Sequence, residues 1–361
     1  MLTSGGSELT DHYDRPYQKP FGEPNLGIRL VLIGRFDRAR WVKGGILASC
    51  NQLADGLERL GAQVSRIDID SPLISIKDAF LSKPDAVVIY AGAWDSQDAL
   101  SLRFCLNVAS EVKCPVYFNA VWDNSESSRT QLLALHSSAS GNVGFFIFSQ
   151  AAKTSLEDLT GRPVLVLPKP LRAVRTKSAR SVNQANNLFL GDISKFLRPE
   201  IAPKAREYWE ALIELIPPKR LIFVRQYMPA SVPNWLRGAE IRPFTPGLGD
   251  LFLGVRAYIH VNEYATFEML PLEAFGMGIP LVSAPMPHSL DEIIPSELRH
   301  TVLSPEQMRF EVEKLIENRV SDQRISQQVR TYEDFRRSWL TSLNQSFLLA
   351  LIEHSESGRI S

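Results

Sequence analysis

Cysteine is scarce. The 361-residue chain has Cys50, Cys105 and Cys114. They form no CxxC pair and no ligand cluster, which excludes a disulfide framework and a thiolate metal site. Cys50 and Cys105 stand among apolar residues and read as small core side chains in a reducing compartment. Net charge is missing as well. The 40 basic and 40 acidic side chains cancel, so no long-range field recruits the chain to nucleic acid or to an anionic bilayer. No apolar run is long enough for a transmembrane segment. The opening residues lack the basic region and apolar core of a signal peptide. The expectation is a cytoplasmic protein, at most peripheral to a membrane, with residues 1–27 forming a loose polar arm. No short-period repeat is visible. No His/Cys cluster occurs and no Asp-x-Asp motif is assigned to a strand-end loop, so neither a metal nor a cofactor is expected.

What is present suits two cores. The length exceeds one ordinary domain, and 44% of residues are hydrophobic. Short apolar runs recur at 28–33, broken only by Arg29, and continuously at 86–90, 116–118, 145–148 and 164–167. Continuous rather than alternating runs predict strands buried on both faces of a parallel sheet. Between the first two, Ile46, Cys50, Leu53, Leu57 and Leu60 recur at spacings of three and four, one apolar helix face closed by Gly61. A second series runs through 188–190, 221–224, Ile241, 257–261 and 280–283, with a helix over 205–216. The stretch 172–187 is polar, basic and poor in large apolar groups, and reads as a linker. The prediction is an α/β fold of two Rossmann-like domains, 28–171 and 188–325, facing across a cleft. A C-terminal helix over 326–355, with Phe335, Trp339, Leu343 and Phe347 at spacing four, is expected to join the first domain.

The segment 265–294, ATFEMLPLEAFGMGIPLVSAPMPHSLDEII, carries the most specific pattern. It resembles the donor-binding segment of the retaining GT-B glycosyltransferases of family 4. The matching places are Phe267, Leu270 and Pro271, Glu273 and Ala274, Gly278, Pro280, and Glu292, Ile293 and Ile294. Lys43, Gly44, Gly45 and Ile46, followed by Leu53 to Leu57 and then by Gly61, Ala62, Gln63 and Val64, resemble the family's Gly-Gly loop, first helix and second strand. Phe148, Ser149 and Ala152, with Leu167, Pro168, Lys169 and Pro170, resemble the end of its first domain.

The resemblance implies retaining sugar transfer from a nucleoside-diphosphate sugar, without a metal, to a glycan, lipid-linked or small-molecule acceptor. It implies that Glu273 grips the nucleotide ribose. Physically, Pro271 suits a first helical turn, and free N–H groups at Met269 and Leu270 would seat the diphosphate at the positive dipole end. Glu273 is expected in that first turn, facing the cleft, with little part in stability. Gly44 and Gly45 would let the backbone approach the donor. Lys195, Arg198 and Arg225 are the candidate diphosphate cations, since Asp192 stands where the family has an arginine.

The pattern also breaks. Ala265 replaces the family's first acidic residue and Glu268 its glycine; Glu268 is left as a donor-sugar candidate, with Glu263 another. Trp122 stands near the family's histidine and cannot accept a proton. Asp123, Asp95 and His288 remain the catalytic candidates. These departures keep two alternatives open: a nucleotide-sugar epimerase, and a non-catalytic nucleotide-sugar-binding or scaffold protein of the same fold.

Overall fold

The computed structural model describes residues 27–36, 45–68, 83–90, 110, 112–120, 133–134, 137, 143–162, 164–197, 202–225, 232–245, 248–261, 268–285 and 290–357. Twelve strands lie among them. The first six are β1 (Arg29–Gly34), β2 (Gln63–Asp68), β3 (Ala86–Ile89), β4 (Val116–Asn119), β5 (Val143–Ile147) and β6 (Val164–Val166). They form one parallel sheet in the order β2-β1-β3-β4-β5-β6. The next six are β7 (Asn187–Asp192), β8 (Leu221–Arg225), β9 (Glu240–Pro243), β10 (Val255–His260), β11 (Leu281–Ser283) and β12 (His300–Thr301). They form a second parallel sheet, ordered β12-β11-β10-β7-β8-β9. The order reverses between β1 and β3 in the first sheet and between β7 and β10 in the second. Open α/β sheets bind ligands at the carboxyl ends of strands at such switch points.

The side-chain period of two explains the continuous apolar runs. On β1, Leu30 and Leu32 enter one core while Val31 and Ile33 enter another on the opposite face. The first of these cores runs on through Cys50, Phe146, Leu171 and Trp339 to Phe189 on β7 and to Leu272 and Phe275 on the helix Met269–Gly276. The helix Gly45–Arg59 fits the predicted face, with Cys50, Leu53 and Leu57 fully buried. The stretch 172–187 is not bare linker: it carries the helix Ala179–Gln184 and leads straight into β7. The C-terminal helix is longer than predicted. It begins at Asp322, widens to a π-helical turn over Leu343–Leu348 and continues to Ser357.

One irregularity is tied to charge. Val255 pairs with Asn187 and Ala257 with Leu188, so Arg256 is an extra residue in β10. Such a bulge re-aims its side chain. Arg256 is 4% exposed, and its guanidinium donates to Leu315 O through Nε (2.9 Å) and Nη2 (2.6 Å), and to Asn318 O through Nη2 (2.5 Å). Nη1 donates to Val182 O (3.0 Å) and to Asn183 Oδ1 (2.5 Å). These acceptors lie at the C-terminal ends of the helices Ala179–Gln184 and Pro305–Glu317. The negative ends of two helix dipoles thus share one buried cation.

Candidate functional site

At the switch point of the second sheet, β7 ends at Asp192 and β10 at His260. The Asp192 carboxylate accepts from Ser194 N (2.9 Å) and Ser194 Oγ (2.7 Å), so it turns the chain into the short helix Ile193–Phe196. The helix Met269–Gly276 starts beside these strand ends, with buried Glu268 at its N-cap in extended conformation and making no side-chain capping bond. Met269 and Leu270 occupy its first two positions, where N–H groups have no intrahelical acceptor. Pro271 takes the third position, where its missing N–H breaks no helical bond.

Glu273 stands in the second turn of this helix, one turn deeper than expected, and does not face open solvent: its side chain is 2% exposed. Arg172 holds it bidentately, donating from Nε to Oε1 (2.5 Å) and from Nη2 to Oε2 (3.0 Å). Burial pushes the carboxyl above the usual carboxylate range, and the Arg172 charge and hydrogen bonds oppose that rise. Glu273 was expected to face the cleft with little part in stability; its burial and the two bonds from Arg172 instead suggest a structural share beside any ligand role. Burial also pushes the Cys50 thiol up to about 12, so it is an inert core group.

The first half of the chain reaches the second at two places. Ser49, in the first turns of the helix Gly45–Arg59, donates to Met269 Sδ at 3.6 Å. After β5, Ser149 caps the helix Gln150–Thr160 by accepting from Ala152 N. Glu292 reaches that same helix end from the second half of the chain. Its carboxylate accepts from Ser149 Oγ (2.6 Å), Ala151 N (2.6 Å) and Gln150 N (3.0 Å). A carboxylate on three donors at a helix N-terminus is favoured by both hydrogen bonding and the dipole.

Of the predicted site residues, Glu268, Met269, Leu270 and Glu273 share one helix and its cap. Arg225 ends β8, where its carbonyl accepts from Phe244 N. Lys195 lies on the helix Ile193–Phe196, its side chain outside the described residues, and Gly45 opens the helix Gly45–Arg59. Gly44, Asp95, Trp122, Asp123, Arg198, Glu263, Ala265 and His288 also lie outside the described residues. Sequence reasoning overlooked the Asp-x-Asp formed by Asp68 and Asp70: Asp68 ends β2 and its Oδ2 accepts from Phe36 N (2.7 Å), while Asp70 lies outside the described residues. It also missed Arg172, which carries no motif and finds its partner 101 residues away.

No family model and no curated protein matches the sequence. Solved structures do match the fold. HepE from Anabaena, in complex with UDP and glucose, aligns over 90% of this chain and 99% of its own, with 12% identity and a TM-score of 0.61. The DNA-modifying enzyme β-glucosyltransferase aligns over 91% of this chain and 100% of its own, with 10% identity and a TM-score of 0.57. The lipopolysaccharide outer core galactosyltransferase WaaB aligns over 90% and 100%, with 12% identity and a TM-score of 0.55. Two parallel six-stranded α/β sheets in one chain, matching these structures along nearly their whole length, give this protein the GT-B fold of glycosyltransferases.

Proposed function

We propose that the protein transfers a sugar from a nucleoside-diphosphate sugar to an acceptor hydroxyl, with retention of anomeric configuration and without a metal. The observation that carries this reading is the helix Met269–Gly276 at the second sheet's switch point, with a buried carboxylate in its second turn. Its first N–H groups and dipole suit a diphosphate, and Glu273 suits the two hydroxyls of a ribose. Arg225 at the end of β8, with Lys195 and Arg198 after β7, are the proposed cations for the diphosphate. In such a transfer the leaving diphosphate takes the acceptor proton, and the protein stabilises the leaving group electrostatically. UDP is the first nucleotide to test, because HepE was solved with UDP and with UDP-glucose.

A thermal-shift series with UDP, GDP, ADP, TDP and CDP should pick out one base, since a ligand of the folded state raises its melting point. Glu273→Gln should weaken the selected nucleotide about tenfold, from roughly 1.5 kcal/mol of lost charge-assisted bonding. Unchanged affinity would remove the ribose role. The missing carboxylate at position 265 supports a second reading, a nucleotide-sugar-binding protein without turnover. Binding of UDP-sugars with no consumption, with or without acceptors, would establish that reading; consumption without acceptor would instead favour an epimerase.

A further inference from the structure

Resting on the reading of Glu273 as the ribose-binding carboxylate, we propose that Arg172 is a positioning residue of the donor site. From the segment between the two sheets it keeps Glu273 ionised and turns the carboxylate's remaining acceptor sites to the ribose diol.

The geometry fits the chemistry of both partners. A carboxylate has about four acceptor sites on two oxygens. Arg172 takes one site on each oxygen, through Nε and Nη2. One site per oxygen is left, and a vicinal diol brings two O–H donors. Arg172 and a ribose can therefore bind the same carboxylate together. Without Arg172, the carboxyl would be a nearly inaccessible acid with no cation beside it. Burial would drive it to the neutral form. One oxygen would then carry a proton, and the charge that strengthens both diol bonds would be lost.

Arg172 is itself fixed in place. Leu171 beside it is buried. Its backbone carbonyl accepts from Tyr332 Oη at 2.8 Å. Lys177 N donates to Met277 O at 2.9 Å, tying the same segment to the end of the Glu273 helix. The Tyr332 ring rests on Gly276 of that helix, where a Cβ would come within 2.5 Å of Tyr332 Cγ, so only glycine permits the approach. The Glu273 helix, the segment bearing Arg172 and the helix Asp322–Ser342 thus form one packed unit. Its charged contact is aimed at the one buried carboxylate that the donor reading requires.

The test compares wild type, Arg172→Met, Arg172→Lys, Glu273→Gln and the double variant Arg172→Met with Glu273→Gln. UDP affinity is measured by calorimetry from about pH 5 to about pH 9, a span that brackets a raised carboxyl. Arg172→Met should bind UDP about tenfold or more weakly near neutrality. It should regain affinity as pH rises, with a midpoint above that of wild type. It should also lose most of the preference for UDP over 2′,3′-dideoxyuridine diphosphate. Arg172→Lys keeps the charge without the fork, so its midpoint should fall between the two. A loss equal at every pH, or wild-type affinity and midpoint, would overturn the proposal and leave Arg172 a purely structural residue.

Stability gives a readout that needs no nucleotide. A carboxyl raised above its unfolded value stabilises the fold at low pH and withdraws that stability as pH rises through the folded value. Arg172→Met should therefore melt higher at acid than at alkaline pH, relative to wild type, and the added Glu273→Gln should abolish that slope. No slope in Arg172→Met would also overturn the proposal. If Arg172→Met does not fold, the Lys variant and the double variant carry the same comparison. Wild-type UDP affinity in Glu273→Gln would sink the ribose reading alone, and the slope would still judge the hold of Arg172 on the charge.

Discussion

Arg256 shows how far one side chain can set the local fold. Its five N–H donors meet five hydrogen bonds to oxygen, none of them from a carboxylate, and burial lowers its pKa below the ordinary guanidinium value. Arg256→Met would keep the bulk and strand buried oxygens at two helix ends. We expect a loss of about 3 kcal/mol or more in urea unfolding, since hydrogen bonds to charged groups contribute about 1.5–3 kcal/mol each. A variant within about 0.5 kcal/mol of wild type, the range of a neutral surface change, would show that the guanidinium is dispensable. No sequence pattern announces this residue, because a lone arginine between Val255 and Ala257 reads as a flaw in an apolar run. Glu273 was legible, since it sits in a motif with proline two places before it. Arg172 was not, because its role comes from a contact that local spacing does not encode. The depth of Glu273 was hidden for the same reason.

Elements were read most directly where a continuous apolar run marks a strand buried on both faces. The runs that became β1, β3 and β10 are buried almost throughout. The edge strand β2 is largely solvent-facing, and its sequence QVSRID has no continuous apolar run, so only the family resemblance over 61–64 pointed to it. In the second sheet the edge strand β12 is only two residues long. It is held by a charged cluster. His300 Nδ1 lies 2.7 Å from Glu311 Oε2, and Nε2 lies 3.1 Å from Arg324 Nη2. Arginine is only a donor, so Nε2 accepts and the ring is neutral with its proton on Nδ1. Burial lowers the His300 pKa, Glu311 pulls it upward, and Arg324 adds to the lowering. The unfolded chain then binds more protons in mildly acid solution. Stability from this group is complete above about pH 6.5 and falls as pH drops through the folded value. The drop in melting temperature on acidification from neutrality should be smaller in His300→Gln than in wild type. An equal drop would place the acid sensitivity elsewhere.

At the scale of the whole molecule, the Glu292 carboxylate ties the two halves together with three hydrogen bonds to the N-terminus of the helix Gln150–Thr160. If the halves hinge about the segment that carries Arg172, this contact holds them together. Glu292→Ala should raise the radius of gyration of the unliganded protein in small-angle scattering, and UDP should reverse the change. An unchanged radius would mean that the shared apolar core alone fixes the arrangement. The two-sheet plan was legible in the order of apolar runs. The ties between sheets were not, since Ser149 and Glu292 are 143 residues apart.

The C-terminal helices also cross back onto the first sheet. Trp339 Nε1 donates to Pro168 O at 2.7 Å, and Phe347 packs edge-on against Phe146 with centroids 5.1 Å apart. Gly56 lies so close beneath Leu343 and Trp339 that a Cβ there would come within 2.7 Å and 2.9 Å of them. Chain synthesis makes this packing a matter of order in time. Domains generally fold as they emerge, N-terminal first. Here the ribosome delivers every strand of the first sheet long before the side chains that close one of its faces. The nascent chain keeps that apolar face open until Trp339, Leu343, Phe347 and Leu351 arrive. A message broken shortly before those codons yields a first half with its sheet complete in sequence and unfinished in its core.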